Sequence, residues 1–428
     1  MTSTRGSGGP RLGQSAFRGL APVRLDGGSS HRVGLGVRYR GPRGRLSEFF
    51  RRLFGRGSPL RHLDWVLLLV VLALSLLGTI LIWSATAPTL QLQGADPRTY
   101  FMKQLLNVAI GLVLMAAVSM LDYRQIRLLS PVVLVVSCLG LLVVLTPLGS
   151  VVNGAKSWIS LPGGFQIEPS EYAKLSLILV AAMILSEVRP GETRPRLRAV
   201  WLTVAVAAVP LVLVVAEPDL GVVMLMIALL VGLIALSGIR LRWLGLLVGV
   251  AAVGITAVAR LHLLKAYQVS RLTSFLNPNA DPRGTGYSAF QSLIAIGSGG
   301  MHGQGLFKGQ LIQGNFVPEQ HTDFIFSVSG EELGFVGSIV VLVLLAVLLL
   351  RALRIAYRAD DQFGMLVASG IGIWFAVQSF INIGMTIGIM PVTGLPLPFV
   401  SYGGSAIFAD MIAIGALQAV YRRRVVFS

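Results

Sequence analysis

Apolar positions along this chain come in long, nearly unbroken runs, each closed by a short polar or arginine-bearing stretch. Ten such runs stand out, at 65–86, 101–121, 128–148, 169–187, 199–216, 219–237, 243–262, 324–350, 365–390 and 402–421. Each is about 20 residues long, the length that carries a helix across a bilayer, and none shows the alternation of a half-buried strand. The pattern predicts an all-α polytopic membrane protein of about ten transmembrane helices, with 64–421 as the membrane domain. Pro218 with Glu217 and Asp219 separates the fifth and sixth runs, because proline and flanking acids stop one helix and start the next. Only 13% of residues are charged against 54% hydrophobic, which excludes an ordinary soluble enzyme.

The polar breaks are of two kinds. Alternate ones carry Arg124 and Arg127; Arg189, Arg194, Arg196 and Arg198; Arg240 and Arg242; Arg351, Arg354 and Arg358; and Arg422 to Arg424. The others hold only Arg98, Lys156, Lys265, Arg271, Arg283 and Lys308. The positive-inside bias therefore places both termini in the cytoplasm and the loops 149–168 and 263–323 outside. Residues 1–63 hold thirteen arginines among glycine and serine. That composition predicts a disordered cytoplasmic tail, a topology signal that also touches anionic lipid, in preference to a nucleic-acid-binding arm. The first apolar run begins too late and is too long for a cleaved signal peptide. Residues 422–428 form a short cytoplasmic C-terminus. The single Cys138 lies inside a span, and the five histidines show no metal-ligand spacing, so no disulfide or zinc site is expected.

Charge that remains in or beside the apolar runs is where chemistry is sought, since ionisable groups at a bilayer need water, a partner or a function. Asp323 stands at the mouth of the eighth run, with Glu319 and His321 just before it. Glu171 and Lys174, three apart, share one face of the fourth run and can neutralise each other. Asp219 opens the sixth and suits a helix N-cap. Lys103 and Lys156 add positive charge on the same side. One of Glu331 and Glu332, facing the bundle, reads as a packing contact within the eighth run rather than a catalyst, and Asp410, deep in the last, has no assigned partner. The glycine-rich stretch 297–305 suits either a phosphate cradle or an amphipathic segment that re-enters the membrane face. Together these features describe an outward-facing site for an amphiphilic anion.

Asn153-Gly-Ala-Lys-Ser-Trp-Ile159 with Glu168-Pro-Ser-Glu-Tyr-Ala-Lys174 resembles the paired box of the SEDS family, named for shape, elongation, division and sporulation. So do Glu217-Pro-Asp-Leu-Gly221, Pro318-Glu-Gln-His-Thr-Asp-Phe-Ile-Phe326, Gly330-Glu-Glu-Leu-Gly334 and Asn382-Ile-Gly-Met385. Pro391-Val-Thr-Gly-Leu-Pro-Leu-Pro398 and Ser401-Tyr-Gly-Gly-Ser405 complete a series in family order from about residue 60 onward. The wording around Asn382 and Ser401 is similar to the elongation branch rather than the division branch.

The resemblance implies a peptidoglycan glycosyltransferase, inverting in stereochemistry, that polymerises lipid II on the outer face of the bacterial cytoplasmic membrane and releases undecaprenyl diphosphate. It also implies a class B penicillin-binding protein as transpeptidase partner, within an elongation complex. Asp323 takes the place of the family's essential aspartate, as general base. Glu171, Lys174 and Asp219 match cavity-lining positions. Relatives often carry basic residues where this chain has Ser157 and Gln166, and a glutamine where it has Glu168. The resemblance thus leaves diphosphate binding to Lys156, Lys103 or Arg271, or to a divalent cation, magnesium or manganese. A lipid II flippase and a scaffold that only recruits the transpeptidase are the competing readings.

Overall fold

The computed structural model describes residues 63–152, 155–160, 166–187, 195–217, 219–260, 269, 275 and 285–427. The arginine-rich 1–62, Arg271, and most of the loop before residue 285 lie outside these. Among the described residues the chain is helical apart from one small sheet. It begins with α1 (Trp65–Leu92), α2 (Thr99–Met120) and α3 (Tyr123–Leu145), then β1 (Gly149–Val152), β2 (Ala155–Ser160) and β3 (Gln166–Ile167). Next come α4 (Pro169–Leu185), α5 (Leu197–Ala216), α6 (Leu220–Leu236) and α7 (Leu241–Arg260). The short α8 (Thr285–Ser298), α9 (Gln310–Gln313) and α10 (Ile325–Glu332) precede α11 (Gly334–Tyr357), α12 (Gln362–Thr386) and α13 (Gly404–Phe427).

Seven of these helices, α1, α2, α3, α5, α11, α12 and α13, are long and apolar enough to cross a membrane. The other apolar helices expected to span, α4, α6 and α7, run to 17, 17 and 20 residues, near the lower end of what a bilayer requires. The outer faces of α3 and α11 expose leucine and valine, including Leu128, Val132, Val136, Val343 and Leu350. Serines, amides and carboxylates such as Gln378, Asn382, Glu171 and Asp410 are buried inside. Apolar surface outward and polar groups inward is the arrangement of a multi-pass membrane protein.

Two local features differ from the sequence expectation. The loop 149–168 holds a three-stranded antiparallel sheet, β1-β2-β3, with Gly149 opposite Ile159, Ile159 opposite Ile167, and a register shift between Ser150 and Val151. The run 324–350, read as one span, is two helices broken at Leu333–Gly334, where Gly334 has φ +68°. The break is satisfied by the glycine-rich stretch. Gln304 and Gly305 donate their amides to the carbonyls of Glu331 and Glu332, at 2.9 and 3.0 Å, and Phe335 and Val336 donate to Gly300 and Met301. A Cβ on Gly303, itself at φ +79°, would lie 2.1 Å from the Glu332 carbonyl oxygen. These glycines therefore permit backbone-to-backbone packing, and their amides do not form a phosphate cradle.

The break also places Glu331 and Glu332 at the end of a half-helix. There Glu331 accepts the amides of Leu311 and Ile312, while Glu332 accepts the Ser84 hydroxyl and the Phe307 amide. Glu331 thus fastens the loop before Asp323 to α10, and Glu332 fastens it to α1 as well, so both of them pack.

Candidate active site

Asp323 ends a loop wound tightly on itself. Glu319 sits at φ +51°, and its carbonyl accepts the amides of Thr322, Asp323 and Phe324 at 3.1–3.2 Å. A non-glycine residue in that region is strained and persists only where its surroundings hold it. Four elements do so here. The Gln320 side chain donates to Ala85 of α1 at 2.7 Å, and Tyr402 donates its amide to His321 at 2.9 Å. The Ser401 hydroxyl donates to Thr322, and the Asn382 amide on α12 donates to the Asp323 carbonyl at 2.8 Å. Tyr100 of α2 packs edge-on against both His321 and Tyr402, with centroids 5.2 and 5.0 Å away. Burial lowers the His321 pKa against the opposing charge of Glu319, so the imidazole is neutral at physiological pH.

A second cluster forms where α4 and α6 begin. Pro169 occupies the first turn of α4, where its missing N–H costs nothing. One turn on, the Lys174 ammonium lies 2.7 Å from Glu171 and donates to Gln378 of α12 at 3.0 Å. It also sits 4.9 Å from the centre of the Trp374 ring, whose indole N–H donates to the same Gln378 oxygen. Asp410 of α13 is the third charged group here. It interacts with Glu171 and Lys174, accepts the Phe399 amide at 3.4 Å on one oxygen, and has no hydrogen-bond partner for the other among the described residues. Asp219 caps α6 by accepting the Val222 amide at 3.1 Å.

Just before α4, Glu168 gives its amide to Ser405 and accepts the Ser170 hydroxyl, both at 2.9 Å. Burial of its carboxyl, and then the charges of Glu171 and Asp219, push its pKa well above the usual carboxylate range. Glu217, in the turn before Asp219, is raised to about 8 by burial and by Asp219, and neither of its oxygens has a hydrogen-bond partner among the described residues.

The segment between α12 and α13 joins the two clusters. Gln378 passes from Lys174 to the Pro396 carbonyl at 2.8 Å, and Asn382, one turn along α12, passes from Asp323 to the Leu395 carbonyl at 2.7 Å. Gly221 lets this segment approach α6, since a Cβ there would stand 2.8 Å from Leu395. Phe399 lies buried at φ +64° against Phe375. One strap thus fixes the Asp323 loop relative to the buried pair.

The other nominated residues are less central. Lys103 is exposed on α2, 5.8 Å from the Tyr100 ring centre and so beside the Asp323 loop. Lys156 turns instead toward the end of α3, donating to the Leu145 carbonyl at 3.3 Å. Arg271 falls outside the described residues. Among the described residues no three His, Cys, Asp or Glu side chains converge as a metal-ligand set. Sequence reading missed Gln378 altogether and met Asn382, Ser401 and Ser405 only as parts of phrases. A signal was present, because amides four apart in an apolar run must each find a buried partner.

The family model for cell cycle proteins of the FtsW/RodA/SpoVE type matches residues 64–425. Stage V sporulation protein E of Bacillus subtilis is 38% identical over 84% of this chain and 97% of its own length. Peptidoglycan glycosyltransferase MrdB of Escherichia coli is 37% identical over 86% and 95%. Among solved structures, a chain from work on the structural coordination of polymerization and crosslinking by a peptidoglycan synthase complex superposes with a TM-score of 0.69. It is 33% identical and covers 85% of this chain and 98% of that one. The rod shape determining protein RodA of Thermus thermophilus gives 0.62 at 28% identity, over 85% and 97%. With the match running from the first helix to the last, this chain belongs to the FtsW/RodA/SpoVE family of cell cycle proteins.

Proposed function

We propose that this chain is a peptidoglycan glycosyltransferase that polymerises lipid II, with Asp323 as the general base. The observation that carries the reading is the strap through which Asn382 and Gln378 hold the Asp323 loop and the Lys174 pair in one frame. The positive-inside pattern supports both termini in the cytoplasm and this end of the bundle facing out.

In the proposed step the Asp323 carboxylate removes the proton from the acceptor sugar hydroxyl. The oxygen attacks the anomeric carbon of the lipid-linked donor, the bond to the diphosphate oxygen breaks, and the configuration inverts. The proton leaves Asp323 for solvent before the next cycle. A half-buried carboxylate on a clamped loop suits this role, because a base must be held within reach of the proton it takes. The Lys174 ammonium is committed to Glu171 and Gln378, so its contribution is to fix the cavity wall and its field. In this reading exposed Lys103, beside the Tyr100 ring, meets the diphosphate charge.

The named relatives support the reaction, and the synthase-complex neighbour supports a class B penicillin-binding protein as partner. SpoVE and MrdB match at nearly equal identity, so assignment to the elongation branch rests on the Asn382–Met385 and Leu395–Ser405 wording. The broken α10–α11 and the buried charges also suit a lipid II transporter.

The test is polymerisation of lipid II by the full chain with its transpeptidase partner. Asp323→Asn abolishes glycan strands while the protein keeps its fold and melting temperature. Unchanged polymerisation in that variant overturns the base assignment, and translocation of labelled lipid II across vesicles without any polymer points to transport.

A further inference from the structure

At the opposite end of the bundle from Asp323, the start of α1 and the ends of α11 and α13 enclose a cavity of about 50 Å³. It is lined by Asp64, Arg351, Arg354, Arg358, Val420 and Tyr421, among others. Its floor is built rigidly. Asp64 caps α1 through the Leu67 amide and pairs with Arg351, and its backbone exchanges two hydrogen bonds with the Gln418 side chain of α13, at 2.9 and 3.0 Å.

The arginines around this cavity divide into two groups. Arg351 is neutralised by Asp64, Arg422 donates to the carbonyls of Met120 and Leu121, and Arg423 pairs with Asp361. Arg354, in the last turn of α11, and Arg358, its C-cap, are exposed and have no side-chain partner among the described residues, yet both line the cavity. Charge in the last turn of a helix is favoured by the helix dipole alone. The dipole does not, however, gather two unengaged guanidinium groups around a concavity with a fixed floor.

The surrounding surface is the end of an apolar bundle, where phosphate headgroups of a bilayer lie. The space admits a few water-sized groups, enough for a phosphate. Guanidinium groups form forked hydrogen bonds to phosphate oxygens, and basic pockets between membrane helices suit anionic headgroups. We infer that Arg354 and Arg358 form a binding site for the phosphodiester headgroup of an anionic phospholipid. The inference stands apart from the glycosyltransferase reading, since it concerns the other end of the protein and needs no turnover.

The test is native mass spectrometry of the full chain equilibrated with phosphatidylglycerol or phosphatidylcholine in mixed micelles. Phosphatidylglycerol is retained by the parent in preference to phosphatidylcholine. R354Q/R358Q weakens that retention by roughly 30-fold, with the melting temperature unchanged. R240Q/R242Q, which removes the same charge from the same end of the bundle, leaves retention near that of the parent. Equal weakening by both pairs, no preference between the lipids, or displacement by millimolar inorganic phosphate overturns the proposal.

Discussion

Lys174→Met removes the one cation from a set that also holds Glu171 and Asp410. Side-chain exposure is 0% for Lys174 and 2% for Glu171, and their charged atoms are 2.7 Å apart. An exposed pair at this helical spacing contributes about 0.3–0.5 kcal/mol. Breaking a buried one by deleting a single partner costs about 3–5 kcal/mol, because the remaining charge stays desolvated. Those two magnitudes are far enough apart for a measurement to decide between them.

Lys174→Met is therefore expected to destabilise the protein by about 3–5 kcal/mol. It strands Glu171 and also deprives Gln378 and Trp374 of the ammonium they face. Glu171→Gln costs less, since the ammonium keeps Gln378, the Trp374 ring and the nearby Asp410. The double variant recovers part of the Lys174→Met loss, giving a coupling energy of about 2 kcal/mol or more. Equilibrium unfolding of the four proteins in mixed detergent micelles supplies the cycle. A Lys174→Met cost below about 1 kcal/mol, with strict additivity in the double variant, would refute the reasoning, because it is the behaviour of a solvated pair.

Two further outcomes are expected. Asn382→Leu leaves the carbonyls of Asp323 and Leu395 without their donor, costing about 1–3 kcal/mol for each group. By loosening the Asp323 loop it lowers kcat for polymerisation by roughly 10–100-fold with little change in KM; a fall in melting temperature with kcat intact would make Asn382 purely structural. For Glu217, raised from 4.5 to about 8 on folding, the folded protein holds a proton that the unfolded chain has released between those values. Its contribution to stability is thus full below pH 4.5 and is lost as pH rises toward 8. Glu217→Gln should flatten the decline in melting temperature across that window, and an unaltered pH profile would show that Glu217 does not titrate there.

Much of this protein was fixed by local composition. The ten apolar runs foretold the principal helices, because spanning segments are selected by length and hydropathy, which neighbouring residues suffice to set. Asp219 read as an N-cap and is one, since capping involves residues three apart. The Glu171–Lys174 pair was legible for the same reason, lying one helical turn apart. The family phrases nominated Asp323 without any geometry.

Only tertiary structure decided what those residues meet. The bond from Lys174 to Gln378 joins residues 204 apart, and that from Asn382 to the Asp323 carbonyl joins residues 59 apart. No periodicity encodes such partners. The run 324–350 looked continuous because its break leaves hydropathy unchanged. What permits the break is Gly334 together with donors and acceptors from the glycine-rich stretch 300–305, which satisfy the freed backbone groups. Lys156 matched a promising phrase but folds toward Leu145, because the sheet in its loop turns it that way. Sequence determined which segments enter the membrane and which charges enter with them. The fold alone determined which of those charges are neutralised and which loop is held still, because desolvation and hydrogen bonding depend on neighbours brought together only by packing.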